Sequence, residues 1–179
     1  MTSLPRGLLQ VYTGNGKGKT TAALGSVWRA LGAGLRVCVV QFLKGGLIPS
    51  EQTIAAQFAP QLVFQNSGHP FSAELMLGQP NGEDCRLAAE TWELARAALA
   101  DPHYDLVVLD EINNALHLGL LPLEEGLAAL EARPASQEVI CTGRHAPAEL
   151  LARADLVTAM VAVKHPFDQG QGARKGIEF

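Results

Sequence analysis

The segment Thr13–Gly25, TGNGKGKTTAALG, constrains the fold more than any other part of this 179-residue chain. Gly14, Gly16 and Gly18 alternate through it, and Gly18-Lys19-Thr20 closes the pattern. A phosphate-binding loop has the form G-x-x-x-x-G-K-[ST], set between a buried strand and a helix. Here the apolar run Leu8–Tyr12 (LLQVY) leads into the loop. Thr20–Leu31 follows it, with Ala22, Ala23, Val27, Ala30 and Leu31 at helical spacing. Only the first position departs, with Thr13 where the pattern has glycine. Backbone N–H groups of such a loop, together with the helix N-terminus, offer partial positive charge to phosphate oxygens. Lys19 adds a point charge, Lys17 a second cation at the loop's outer edge, and Thr20 a hydroxyl suited to Mg²⁺.

The rest of the chain repeats the strand–helix alternation. Val37–Phe42 (VCVVQF), Leu106–Leu109 (LVVL) and Glu138–Thr142 (EVICT) are continuous apolar runs, as parallel strands covered on both faces require. Leu62–Phe64, Leu156–Val163 and the terminal Ile177–Phe179 are weaker strand candidates. Glu83–Ala100 is the clearest amphipathic helix, striped by Leu87, Ala88, Trp92, Ala95 and Leu99. Shorter helices are expected at Ser50–Phe58, Pro122–Ala132 and Pro147–Arg153. The glycines and prolines of Asn66–Asp84 mark a long loop, a feature that compact domains often use functionally. This order predicts an α/β fold of the P-loop NTPase type: a doubly wound, mostly parallel sheet with flanking helices, in one domain over residues 1–179.

Composition narrows the class. A net charge of −4 argues against a broadly basic surface for nucleic acid. No apolar stretch reaches the roughly 18 residues of a membrane span, and the N-terminus lacks the apolar core of a signal peptide, so a cytoplasmic protein is expected. Cys38, Cys85 and Cys141 have neither disulfide nor metal spacing.

The LVVL run ends in Asp110-Glu111. In P-loop proteins a carboxylate at this strand end holds the metal directly or through water. A helix cap is the plainer use of such a pair, and the residues alone leave open which carboxylate meets a metal. Arg29, on the helix after the loop, is a candidate for nucleotide contact or an ordinary solvated arginine. Arg144 and His145 follow the EVICT run at the sheet edge where ligands of open α/β sheets bind.

Together these segments resemble the ATP:corrinoid adenosyltransferases of the P-loop type. The resemblance rests on Thr13–Gly25, Val39–Gly45 (VVQFLKG), Tyr104–Leu116 (YDLVVLDEINNAL), Val139–Pro147 (VICTGRHAP) and the closing VKHPFDQG and GIEF. It covers nearly the whole chain from Gly7, and Thr at the first loop position is itself a mark of that family. The resemblance implies transfer of the 5′-deoxyadenosyl group of ATP to the cobalt of a reduced corrinoid, with triphosphate leaving. It also implies Mg²⁺ or Mn²⁺, a homodimer, and a reductase that supplies Co(I). By matching positions, Lys17 and Lys19 contact phosphates and Thr20 with Glu111 holds the metal, Asp110 being the second candidate. Gly14, Asn15, Gly16, Gly18 and Thr21 line the loop. Aromatic side chains are expected against the corrinoid's lower face; Phe71 fits, and His69 stands where another aromatic is expected.

Two other readings use the same residues. A nucleotide kinase or ATPase would direct Arg144 or Arg153 at a transferred γ-phosphate. A nucleotide-dependent switch would report the bound state through residues 66–84.

Overall fold

The structure is a computed structural model and describes residues 4–44, 50–72 and 74–177. Among the described residues six parallel strands form one sheet in the order β3-β2-β4-β5-β1-β6. In chain order the elements are β1 (Leu9–Thr13), α1 (Lys19–Gly32), β2 (Val37–Gln41), α2 (Ser50–Ala55), β3 (Leu62–Gln65) and α3 (Gly82–Ala100). There follow β4 (Leu106–Asp110), α4 (Ile112–His117), α5 (Leu123–Ala132), β5 (Glu138–Thr142), α6 (Ala148–Arg153) and β6 (Leu156–Ala159).

The apolar runs became strands because both faces of the sheet are covered. Cys38, Val40, Val107 and Leu109 point to one face, where they pack with Trp92, Leu99, Leu116 and Leu130 of α3, α4 and α5. Val37, Val39, Leu106 and Val108 point to the other, against Ala23 and Val27 of α1 and Ala55 of α2. Alternate residues of β1, β2, β4 and β5 thus enter different cores, and no polar face is needed there. Parallel pairing then brings all strand C-termini to one edge, with Gln41 opposite Asp110 and Tyr12 opposite Thr142.

Three expectations are revised. The 66–84 loop carries a short 3₁₀ turn at Glu74–Leu77. It is closed by Asn81, whose side chain accepts the N–H groups of Glu83 and Asp84 while Asp84 returns to the Asn81 N–H, a capping box that starts α3. A separate short helix, α4, follows Glu111, which is its cap. The expected strand over 156–163 stops at Ala159. The reason is its neighbour: β1 ends at Thr13, and Met160 turns to the phosphate loop, accepting the Gly16 N–H at 2.7 Å. In the tail, Ile177 lies in a turn, and the rest of the expected last strand, Glu178 and Phe179, lies outside the described residues.

Candidate functional site

Three strands ending side by side build the site, and each ends in a buried polar residue: Gln41 on β2, Asp110 on β4 and Thr142 on β5. Burying a carboxylate requires compensation, and Asp110, 1% exposed, receives it from four donors. Its Oδ1 accepts from Thr20 Oγ1 at 2.7 Å and Thr142 Oγ1 at 2.6 Å. Its Oδ2 accepts from Gln41 Nε2 at 3.0 Å and Lys44 Nζ at 2.9 Å. Burial opposes ionisation, but the Lys44 charge and these hydrogen bonds outweigh it and hold the Asp110 carboxyl below the usual range.

The loop wraps around Lys19. Its ammonium donates to the carbonyls of Gly14 and Gly16, both at 2.8 Å, and the residue is buried. Burial lowers the lysine pKa, with Glu111 pulling the other way. Gly14 must be glycine: its φ is +95°, and a Cβ there would stand 2.4 Å from the Met160 carbonyl oxygen. Gly18 caps α1 at φ +117°, which turns the chain so that the first N–H groups of the helix face the loop.

Glu111 adopts a left-handed conformation, φ 64°, uncommon outside glycine and asparagine. The buried Thr142 hydroxyl pins it there by accepting the Glu111 N–H at 3.0 Å. Burial and the neighbouring Asp110 charge raise the Glu111 pKa, while Lys44, Lys19 and Arg144 oppose the rise. Two carboxylates and three cations therefore act on one small volume. Asn113 ties this volume to the ends of β1 and β5, since its Nδ2 donates to the carbonyls of Tyr12 and Gly143. Thr13, the residue that breaks the loop pattern, accepts the Ala146 N–H at 3.4 Å.

No group of three or more His, Cys, Asp or Glu side chains among the described residues forms a ready-made metal cage. The Thr20 hydroxyl with the Asp110 and Glu111 carboxylates is instead a sparse set of hard oxygens. That suits Mg²⁺, which takes one or two carboxylates and completes its shell with phosphate oxygens and water.

Residues 5–179 match the family model described as ATP:corrinoid adenosyltransferase BtuR/CobO/CobP. This chain belongs to that family. Membership makes it a transferase that adenosylates corrinoids from ATP. It is 45% identical to a corrinoid adenosyltransferase of Pseudomonas aeruginosa over 97% of this chain and 84% of that one. It is 40% identical to corrinoid adenosyltransferase CobA of Salmonella typhimurium, over 97% of this chain and 86% of that one. Among solved structures, the flagellar accessory protein FlaH of Methanocaldococcus jannaschii shares the fold, with a TM-score of 0.54 at 13% identity over 87% of this chain and 72% of that one. Family membership does not favour the kinase and switch readings.

The adenosyltransferase brings some of the expected residues together and leaves others apart. Lys19, Thr20, Asp110 and Glu111 converge with Gly14, Gly16 and Gly18. Asn15 and Thr21 stand exposed at the loop's surface. Lys17 is exposed and donates to the Ile177 carbonyl at 3.2 Å, which ties the C-terminal segment to the loop. Arg29 lies ten residues along α1, about 15 Å of helix from Lys19. There it lines a cavity of about 240 Å³ with Gln10, Ser26 and Glu138. Phe71 is half-buried against the α3-side core, and His69 is exposed beside it in the loop. The His145 ring stacks on His117, with centroids 4.4 Å apart.

Reading the motifs did not single out Gln41, Lys44, Thr142 or Asn113. The first three had a signal: Gln41 and Thr142 are polar ends of otherwise apolar strands, and Lys44 follows three residues after Gln41. In a parallel sheet those ends share one edge, so polar residues there should be examined as a group.

Proposed function

We propose that the loop grips the triphosphate of ATP as a leaving group while the ribose C5′ faces the cobalt of a cob(I) corrinoid. The carrying observation is the Lys19–loop–Thr20–Asp110 constellation at the C-terminal edge of the sheet. The cobalt electron pair attacks C5′, and the bond from C5′ to the α-phosphate oxygen breaks. The bonding pair leaves on triphosphate, and cobalt rises from Co(I) to Co(III). Cob(I) is so strong a nucleophile that the attack needs no general base. The protein's work is therefore orientation and stabilisation of departing negative charge.

In this reading Lys19 and Lys17 neutralise phosphate oxygens, Lys17 after releasing the Ile177 carbonyl. Backbone amides of the loop from Gly14 to Thr21, apart from that of Gly16, which Met160 holds, add directed donors. Thr20 and Glu111 would hold Mg²⁺ or Mn²⁺, with Asp110 orienting Thr20 from behind. Asp110 already accepts four hydrogen bonds, which makes Glu111 the better placed direct ligand. When bound, the metal adds charge stabilisation on the leaving phosphates. Phe71 and His69 would face the corrinoid from the 66–84 loop. Arg29 would touch nucleotide only from the far end of α1, and its position favours a structural role. A homodimer, a cytoplasmic location and a reductase that supplies Co(I) complete the reading.

Incubation with ATP, Mg²⁺ and chemically reduced cobalamin tests it directly. The expected products are a light-sensitive alkylcobalamin and intact triphosphate. Release of ADP and orthophosphate with an unchanged corrinoid spectrum would sink the proposal.

A further inference from the structure

Lys44 follows β2 and enters the site from the opposite end to Arg144, which follows β5. Its ammonium lies 2.9 Å from Asp110 Oδ2 and 3.7 Å from Glu51 Oε1. The other oxygen of the same Asp110 carboxylate accepts from Thr20, in the first turn of α1. One buried carboxylate thus bridges the phosphate-loop helix and Lys44, one oxygen bonded to each. The Lys44 side chain is 30% exposed, against 1% for Asp110.

The charge balance gives that position a purpose. Triphosphate is polyanionic, yet the site already holds two carboxylates, Asp110 and Glu111. Like charges repel, so two carboxylates beside the triphosphate weaken its binding unless cations face them. Lys19, Lys44 and Arg144 are the cations that face them, and Lys44 is the one bonded to Asp110.

We propose that Lys44 is a further phosphate-contacting residue of the reaction, held ready by Asp110 and Glu51 and reaching the leaving triphosphate from the β2 end of the site. This rests on the reading of the loop as a triphosphate grip. The competing role is a pure counterion for Asp110, in which case loss of Lys44 costs no phosphate affinity once Asp110→Asn has removed the charge that Lys44 neutralises.

Calorimetric titration of the full chain with tripolyphosphate, in the presence of Mg²⁺, separates the two. For Lys44→Met the dissociation constant should rise at least about tenfold, the equivalent of about 1.4 kcal/mol, both in the wild-type and in the Asp110→Asn background, and a loss that disappears in the Asp110→Asn background overturns the proposal. For Lys44→Arg, which keeps the charge, it should stay within about threefold. If Lys44→Met does not fold, Lys44→Gln carries the test, since its amide still donates to Asp110. Wild-type tripolyphosphate affinity in Lys44→Met or Lys44→Gln overturns the proposal. Lys19→Ala, measured in parallel, reports on the loop itself. Weaker binding in Lys19→Ala with none in the Lys44 variants refutes Lys44 alone, and unchanged binding in both refutes the loop reading with it.

Discussion

Thr142 is the side chain whose removal tests the site's construction most directly. Its hydroxyl is fully buried, donates to Asp110 at 2.6 Å and accepts the Glu111 N–H at 3.0 Å. Thr142→Val keeps the shape and deletes both bonds. A hydrogen bond to a charged group contributes about 1.5–3 kcal/mol, and an unpaired buried N–H costs about 1–3 kcal/mol. Asp110 retains three other donors and the new methyl group packs against apolar neighbours, so the net loss should be about 2–4 kcal/mol. For a chain of this size that lowers the melting temperature by roughly 5–15 °C. Thr142→Ser is the control, since it keeps the hydroxyl and loses one methyl, at about 1 kcal/mol. Thermal melts of the three proteins followed by circular dichroism decide the matter. The valine variant should melt well below the serine variant. Its adenosylation rate should also fall, because Glu111 loses the contact that holds it at φ 64°. A valine variant as stable as the serine variant would refute the reasoning.

Four further outcomes are expected. Gly14→Ala must place a Cβ 2.4 Å from the Met160 carbonyl at φ +95°, so it should cost at least about 1–3 kcal/mol and abolish ATP binding. Gly25→Ala, with open space in mid-α1, should stabilise by about 0.5–1 kcal/mol, and urea unfolding of the two tells them apart. The Asp110 carboxyl is held below its unfolded value of about 3.9, so its stabilisation is full above that pH and is lost as pH falls through the lower native value. The stability gap between wild type and Asp110→Asn should therefore narrow on acidification below about pH 4, and a constant gap would count against the ion pair. Phe71→Ala should retain ATP binding but lose yield of the four-coordinate cobalt spectrum; an unchanged yield removes Phe71 from the corrinoid face.

The sequence by itself determined the phosphate loop, the strands around it and the family, and the cause is local in each case. Glycine spacing at 14, 16 and 18 is a backbone requirement of the loop, and apolar runs such as VCVVQ announce strands buried on both faces without reference to any distant residue. Segments with weaker local signals were harder to place. The strand at Leu156 ended early because Met160 is drawn to Gly16, and α4 was missed because its cap, Glu111, depends on a left-handed turn held from Thr142. Arg29, close to the loop in sequence, lies at the far end of its helix, whereas Lys44 and Thr142, distant in sequence, meet at Asp110. Only the tertiary structure decided that grouping. Parallel pairing brings the ends of β2, β4 and β5 to one edge, and a buried carboxylate there gathers whichever donors the fold sets within reach.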